Sequence, residues 1–189
     1  IIGGKNDVAQ NAYYHLAESY LKLDQKQQAL NAFKNASEMS FSSEIQEDAW
    51  LNYAKLSYQI GNSYQSVPLV LLSFLEKYPA NKSAETIKEL LIDSYITSKN
   101  YQAAIELLES NNSYHNKSAY QKVTFYRGLE LYSEGKFKEA TVNFNKSLME
   151  SIDLAIKARA TYWKAESKYQ QSNFEASLIE YKSYLQLSK

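Results

Sequence analysis

The stretch AYYHLAESYLKLDQKQQALNAFKNA, residues 12 to 36, decides how the rest of the chain is read. Its apolar and small residues, Tyr13, Leu16, Ala17 and Tyr20, recur three and four apart, which places them on one face of a helix. A polar run, KLDQKQQ, follows, and then a second set with the same period: Ala29, Phe33 and Ala36. Two amphipathic helices with a short polar connection make a helical hairpin. Within the second helix a small residue precedes a large one by one turn, so the small one admits the neighbouring helix and the large one fills the space beside it.

Working outward, the small residue recurs as Ala29, Ser66, Ala104, Ala140 and Ser177, at intervals of 37, 38, 36 and 37 residues. Regular self-similarity at such a period marks a stacked repeat array. Four residues after each anchor stands a large side chain, in turn Phe33, Val70, Leu108, Phe144 and Tyr181. Twelve before it stand Ala17, Ala54, Ile92, Gly128 and Ala165, small at every position but Ile92, and eight before it the bulky Leu21, Tyr58, Ile96, Tyr132 and Tyr169. Between the two helices lie polar turns, QIGNSY, TSKNY, SEGKF and QSNF, in which Gly61 and Gly135 suit the left-handed conformation that ends a helix. The sequence therefore predicts an all-α chain of about five hairpins, over residues 9–40, 43–79, 81–112, 116–150 and 152–189, forming one repeat domain across 1–189. Pro68 stands where the second hairpin's return helix begins, so that helix either starts near Ser66 or is kinked.

Composition narrows the function classes. With 189 residues and 44 % hydrophobic content the chain can bury a continuous core, and five Gly with two Pro are too few to turn the many corners of a β-sandwich. Lys plus Arg equals Asp plus Glu at 21 each, so no net field favours nucleic acid or an anionic membrane surface. No apolar run approaches the roughly 20 residues that span a bilayer, so no membrane insertion of this segment is expected. Cysteine is absent, which removes disulfides and thiolate chemistry together. The opening Ile1-Ile2-Gly3-Gly4 has neither Met nor a signal-type apolar run, which is expected of a piece of a longer protein.

These hairpins resemble the tetratricopeptide repeat family. Tyr13, Leu16, Ala17, Tyr20, Ala29, Phe33 and Ala36 follow its spaced pattern, as do WLNYAKLSYQIGNSYQS at 50–66, RGLELYSEGKFKEATVNF at 127–144 and YWKAESKYQQSNFEASLIEY at 162–181; LLIDSYITSKNYQAAIELL at 90–108 is looser. The period here is longer than the family's, and a repeat-ending Pro occurs only as Pro79. The resemblance implies an α-α superhelix whose concave wall is lined by the first helices, a surface suited to a peptide or a partner's helix. It places groove positions at Tyr14, Leu51, Glu89, Phe125 and Tyr162, and again at Leu21, Tyr58, Ile96, Tyr132 and Tyr169. The aromatic members, Tyr14, Tyr58, Phe125, Tyr132, Tyr162 and Tyr169, are the candidate partner-binding residues. The same rings also suit helix-helix contacts in the core, and pattern alone leaves both readings open. The paired cations by which some family members clamp a terminal carboxylate are missing: Asn11 with His15, Asp48 with Asn52, Thr86 with Leu90, Lys122 with Tyr126, and Arg159 with Trp163 stand there instead, and only Asn52 fits. The phrases FLEKYP, NYAKLSYQIG and YWKAESKYQQSNFEASLIEYKSYL look most like repeat proteins of the bacterial cell envelope, which implies a periplasmic or outer-membrane-associated setting.

No enzyme chemistry is legible. His15 falls among core-patterned residues, where a packed side chain is expected, and His115 lies in the polar connection NNSYHNKS. Glu44, Glu47 and Asp48 follow Ser42 and Ser43 at a helix start, where caps and the helix dipole account for them. Glu85 and Glu89 read as solvated surface, and GGKND lacks the rest of a phosphate loop. No catalytic residue, cofactor or metal is expected. Two functional readings follow: a non-catalytic scaffold for a protein partner, or a spacer or self-assembly segment of a longer array, whose repeat ends would associate.

Overall fold

In the computed structural model, which describes residues 6–110 and 116–187, ten helices run in chain order and no strand occurs among the described residues. They are α1 Asp7–Lys22, α2 Lys26–Ser37, α3 Ser43–Ile60, α4 Val67–Lys77, α5 Ala84–Thr97, α6 Tyr101–Ser110, α7 Lys117–Ser133, α8 Phe137–Glu150, α9 Leu154–Gln170 and α10 Phe174–Leu187. Residues 1–5, 111–115 and 188–189 lie outside the described residues, and with them His115 and most of GGKND.

First and second helices begin differently. The first helices α1, α3, α7 and α9 start at side-chain caps, where Asn6, Ser42, Asn116 and Asp153 accept from the free amides of Ala9, Ile45, Ala119, and both Ala155 and Ile156. The second helices α2, α6, α8 and α10 instead follow three-residue turns of one design. The second turn residue has positive φ (Asp24 55°, Lys99 57°, Gly135 74°, Ser172 60°). The next amide then reaches back to the first helix: Gln25 to the Tyr20 carbonyl, Asn100 to Tyr95, Lys136 to Leu131 and Asn173 to Lys168, at 2.8 to 3.0 Å. This paired closure satisfies carbonyls that the helix end would leave free. Only one of the four left-handed residues is glycine, so Gly135 met its expected role while Asp24, Lys99 and Ser172 took it against their own preference.

The second hairpin departs from the expected phase. Its turn runs from Gly61 to Ser66, and Ser66 is the exposed N-cap of α4, not a small residue inside it. Val70, at 0 % exposure, is the fourth residue of α4, the place held in the other second helices by Ala29, Ala104, Ala140 and Ser177; Phe74 then stands where Phe33 and Phe144 do. The longer turn pushes the anchor four residues along, which an even count of residues conceals. Gly61 has positive φ, but its ψ of 173° is extended and not left-handed helical. Pro68 sits in the first turn of α4, where its missing N–H costs nothing.

The small positions behave as packing requires: Ala17, Ala54 and Ala165 are fully buried, Ile92 is 5 % exposed, and Gly128 lies against the Phe144 ring. The chain packs as two compact units, Ile1–Ser94 and Tyr95–Lys189. In the first, α2 packs on α3 and joins two hairpins; in the second, α6 meets α7 and α8 meets α9. The core of the second unit is built on Phe125, Leu131, Ala140, Phe144 and Ala160. One sequence expectation fails here. His15 is not packed: its side chain is 65 % exposed and pairs with Glu18 at 2.9 Å, because α1 packs on α2 and α3 and His15 lies on its other side.

Candidate partner-binding surface

Each of the six aromatic residues singled out from the sequence lies on a first helix, and the structure gives them different surroundings. Tyr14 of α1 is half-buried; its hydroxyl donates to Asp48 Oδ2 of α3 at 2.6 Å, and its ring meets Phe33 edge-on. Tyr58 of α3 repeats the arrangement, donating to Asp93 Oδ2 of α5 at 2.6 Å. Phe125 is a correction: it is wholly buried against Phe144, with the Arg159 guanidinium 4.8 Å above its ring, and it offers no surface to a partner. Tyr132 is half-buried between Phe137 and Trp163, at 5.2 and 4.9 Å between ring centres. Tyr162 sits among Trp163, Tyr181 and Tyr184, and Tyr169 is 52 % exposed beside Phe174.

A device links several of these residues that the sequence pattern does not announce. A phenol on one helix donates to a carboxylate on a neighbour: Tyr14 to Asp48, Tyr58 to Asp93, Tyr120 to Glu109 and Tyr181 to Glu166, all at 2.5 or 2.6 Å. Burial and then the acceptor carboxylate push the pKa of Tyr14, Tyr120 and Tyr181 well above the ordinary tyrosine range. For Tyr58 the bond to Asp93 comes first and burial second. These hydrogen bonds to charged acceptors are of the stronger kind, and they fix the side chain's rotamer. At these four positions a Phe would fill the same space without tying the helices together.

The carboxylates read as simple cap acids do more than that. Asp48 accepts from both Tyr14 and Asn52, and Glu47 accepts from Asn81 in the connection between α4 and α5, at 2.7 Å. Two buried glutamines were missed altogether. Gln10 shares its amide protons among the carbonyls of Ala36, Met39 and Ser42 and accepts from the Ser42 amide at 2.7 Å. Gln121 donates to the Asp153 carbonyl at 3.0 Å and accepts from the amides of Ile152 and Asp153. Both stand nineteen residues before the anchor, at Ala29 and Ala140, so each ties down the connection to the next hairpin. A polar residue recurring in phase was the available signal.

Among the described residues no group of His, Asp or Glu is placed to hold a metal ion, and no helix is long and apolar enough to cross a membrane. Glu180 loses ionisation to burial but regains more from Lys164 and Lys168, at 2.8 and 2.7 Å, which hold it below the usual carboxylate range. It is a packed ion triad between α9 and α10.

No protein-family model and no curated protein matches the chain. Solved structures do. MamA AMB-1 aligns over 97 % of this chain and 93 % of its own, at 20 % identity and a TM-score of 0.51. The MamA RS-1 ArsTM double mutant aligns over 98 % of this chain and 97 % of its own, at 11 % identity and a TM-score of 0.50. MamA is a tetratricopeptide-like, all-helical protein. The chain has a tetratricopeptide-type fold. At these identities the likeness speaks for the fold alone, and it agrees with the hairpin design read from residues 12 to 36.

Proposed function

We propose that the chain is a non-catalytic scaffold that holds a peptide or a helix of a partner protein against its first helices. The observation that carries the reading is the state of the first-helix tyrosines. Tyr14, Tyr58, Tyr132 and Tyr162 are partly exposed, yet each is held by a carboxylate or by aromatic neighbours. A ring already fixed in place loses little entropy when a partner covers it, which is what an interface anchor needs. By the sequence resemblance the proposal extends to a periplasmic or outer-membrane-associated setting, which fractionation of the native cell tests.

The binding test begins with affinity capture of a partner from the native cell and ends with direct titration of that purified partner. Tyr58→Ala and Tyr162→Ala should each weaken binding by about tenfold or more with the helical signal retained. Unchanged affinity with a lowered Tm would assign these tyrosines to packing and remove the groove.

A second reading, self-assembly of copies or repeats, is favoured by apolar side chains left open on α1 and α10. Val8 and Leu16, and Leu178, Ile179 and Leu185, are 43 to 71 % exposed.

A further inference from the structure

One contact recurs between successive first helices with its chemistry changed. In the unit Ile1–Ser94, Tyr14 stands 15 residues before Ala29 and Asp48 stands 18 before Ser66. The Tyr14 hydroxyl donates to Asp48 Oδ2 at 2.6 Å, and Asn52 donates to the same oxygen at 2.8 Å. In the unit Tyr95–Lys189 the same two positions are Phe125, 15 before Ala140, and Arg159, 18 before Ser177. There the guanidinium carbon of Arg159 lies 4.8 Å from the centre of the Phe125 ring. A phenol occupies the charge beside it, whereas a phenyl ring has no hydroxyl and only supports the guanidinium from one face. Arg159 is thus held in place and exposed, and its N–H groups meet no acceptor among the described residues.

A second cation belongs to the same column. Lys122, 18 residues before Ala140, lies one turn before Phe125 on α7 and makes no ion pair among the described residues. Helices α7 and α9 carry seven Lys or Arg and two Glu between them. Carboxylates hold four of these cations: Glu150 holds Lys117, Glu130 holds Arg127, and Glu180 holds Lys164 and Lys168. Lys157 falls on the stripe of Lys164, which faces α10. Lys122 and Arg159 remain as uncompensated charge beside Tyr162, three residues after Arg159, and the one acid of α9, Glu166, is taken by the Tyr181 hydroxyl at 2.5 Å. Neither cation is open for want of a further hairpin, since Arg159 leans back on the preceding one and α7 has α6 and α9 packed on it. We propose that Lys122 and Arg159 receive the side-chain carboxylates of an acidic segment of the partner protein. A guanidinium fork takes both oxygens of a carboxylate at once, and a stacked one is already oriented to do so. The inference rests on the scaffold reading above and gives the partner its charge.

Fluorescence anisotropy of the 189-residue chain at about 50 mM salt, where screening is modest, tests this with labelled peptides of about twelve residues repeating Glu-Glu-Leu, Gln-Gln-Leu or Lys-Lys-Leu. The Glu peptide should bind and the other two should not. Arg159→Gln and Lys122→Gln should each weaken it by about tenfold with the helical circular dichroism retained. Lys182→Gln, at an exposed site on α10, changes the net charge equally and should cost less than about twofold. Arg159→Lys should fall between, because an ammonium keeps the charge and loses the fork. If the Glu peptide does not bind, or Lys182→Gln weakens it as much as Arg159→Gln does, the proposal falls. A Gln peptide that binds as tightly and is weakened by Tyr162→Ala would keep the scaffold reading and overturn the acidic partner. Oligouridylate that binds more tightly than the Glu peptide would make this a nucleic-acid surface and overturn it as well. If Tyr162→Ala leaves the Glu peptide's affinity unchanged while Arg159→Gln abolishes it, the charge site stands and the tyrosine groove falls.

Discussion

Gly128 shows how much depends on a single atom. A Cβ added there would lie 2.5 Å from Cε1 and 2.7 Å from Cδ1 of Phe144, closer than side chains pack. Phe144 has no room to retreat, since it is fully buried with its ring centre 6.1 Å from that of Phe125. Gly128→Ala should therefore destabilise the chain by up to about 2 kcal/mol, since overpacking costs about 1–3 kcal/mol and alanine's better helix propensity returns roughly 1 kcal/mol of it. Urea unfolding measures the loss, and adding Phe144→Leu should recover part of it; an unchanged midpoint would show that the ring moves aside. The sequence announced this residue, since glycine stands in a column otherwise held by Ala17, Ala54, Ile92 and Ala165. It did not announce why hairpin four needs glycine: only packing shows that the Phe144 ring has taken the space a methyl would use.

Among the elements, the three-residue turns are the chain's most repeated design and its least favourable local choice. Asp24, Lys99 and Ser172 hold positive φ with a Cβ present, which costs an ordinary residue roughly 1 kcal/mol compared with glycine. The substitutions Lys99→Gly and Ser172→Gly should each stabilise the chain by up to about 0.5 kcal/mol after the unfolded state's gain in freedom is set against the relief. Thermal unfolding would register a higher Tm, and a lower one would mean these side chains make contacts that matter more than the backbone. The turn from Gly61 to Ser66 follows another rule. Asn62 holds it together, donating to the Tyr53 and Ser57 hydroxyls at 2.8 and 2.7 Å and accepting from the amides of Tyr64 and Gln65. Tyr64 folds back to Asn31 of α2, with its ring 5.1 Å from the Lys34 ammonium.

Across the whole molecule the phenol–carboxylate ties make stability sensitive to alkali. Tyr14, Tyr120 and Tyr181 hold their protons more tightly when folded than when unfolded, where a phenol titrates near 10. Below that pH both states are protonated and the contribution is fully present. Above it the unfolded chain releases its protons first, so stability falls as pH rises towards the folded values. A Tm series from pH 8 to 11.5 should be flat at first and then decline. The decline should be shallower in a Tyr14→Phe, Tyr181→Phe variant, which has lost two of the shifted phenols; equal slopes would place the alkaline loss elsewhere.

Taken by itself, the sequence determined the helices, their pairing and the repeat, because period and small-then-large spacing are properties of one helix and its immediate neighbour. It also determined the absence of cysteine chemistry and the balance of charge. Tertiary structure alone decided which tyrosines are packed and which are open, that Phe125 is core, that His15 is solvated and that Val70 replaces Ser66 as an anchor. The reason is physical: a side chain's burial depends on what the next hairpin places over it. That covering surface comes from residues some 35 positions away, such as Asp48 over Tyr14 or Trp163 beside Tyr132. Periodicity fixes the direction in which a side chain leaves its helix, and only the stacked neighbour fixes what it meets there.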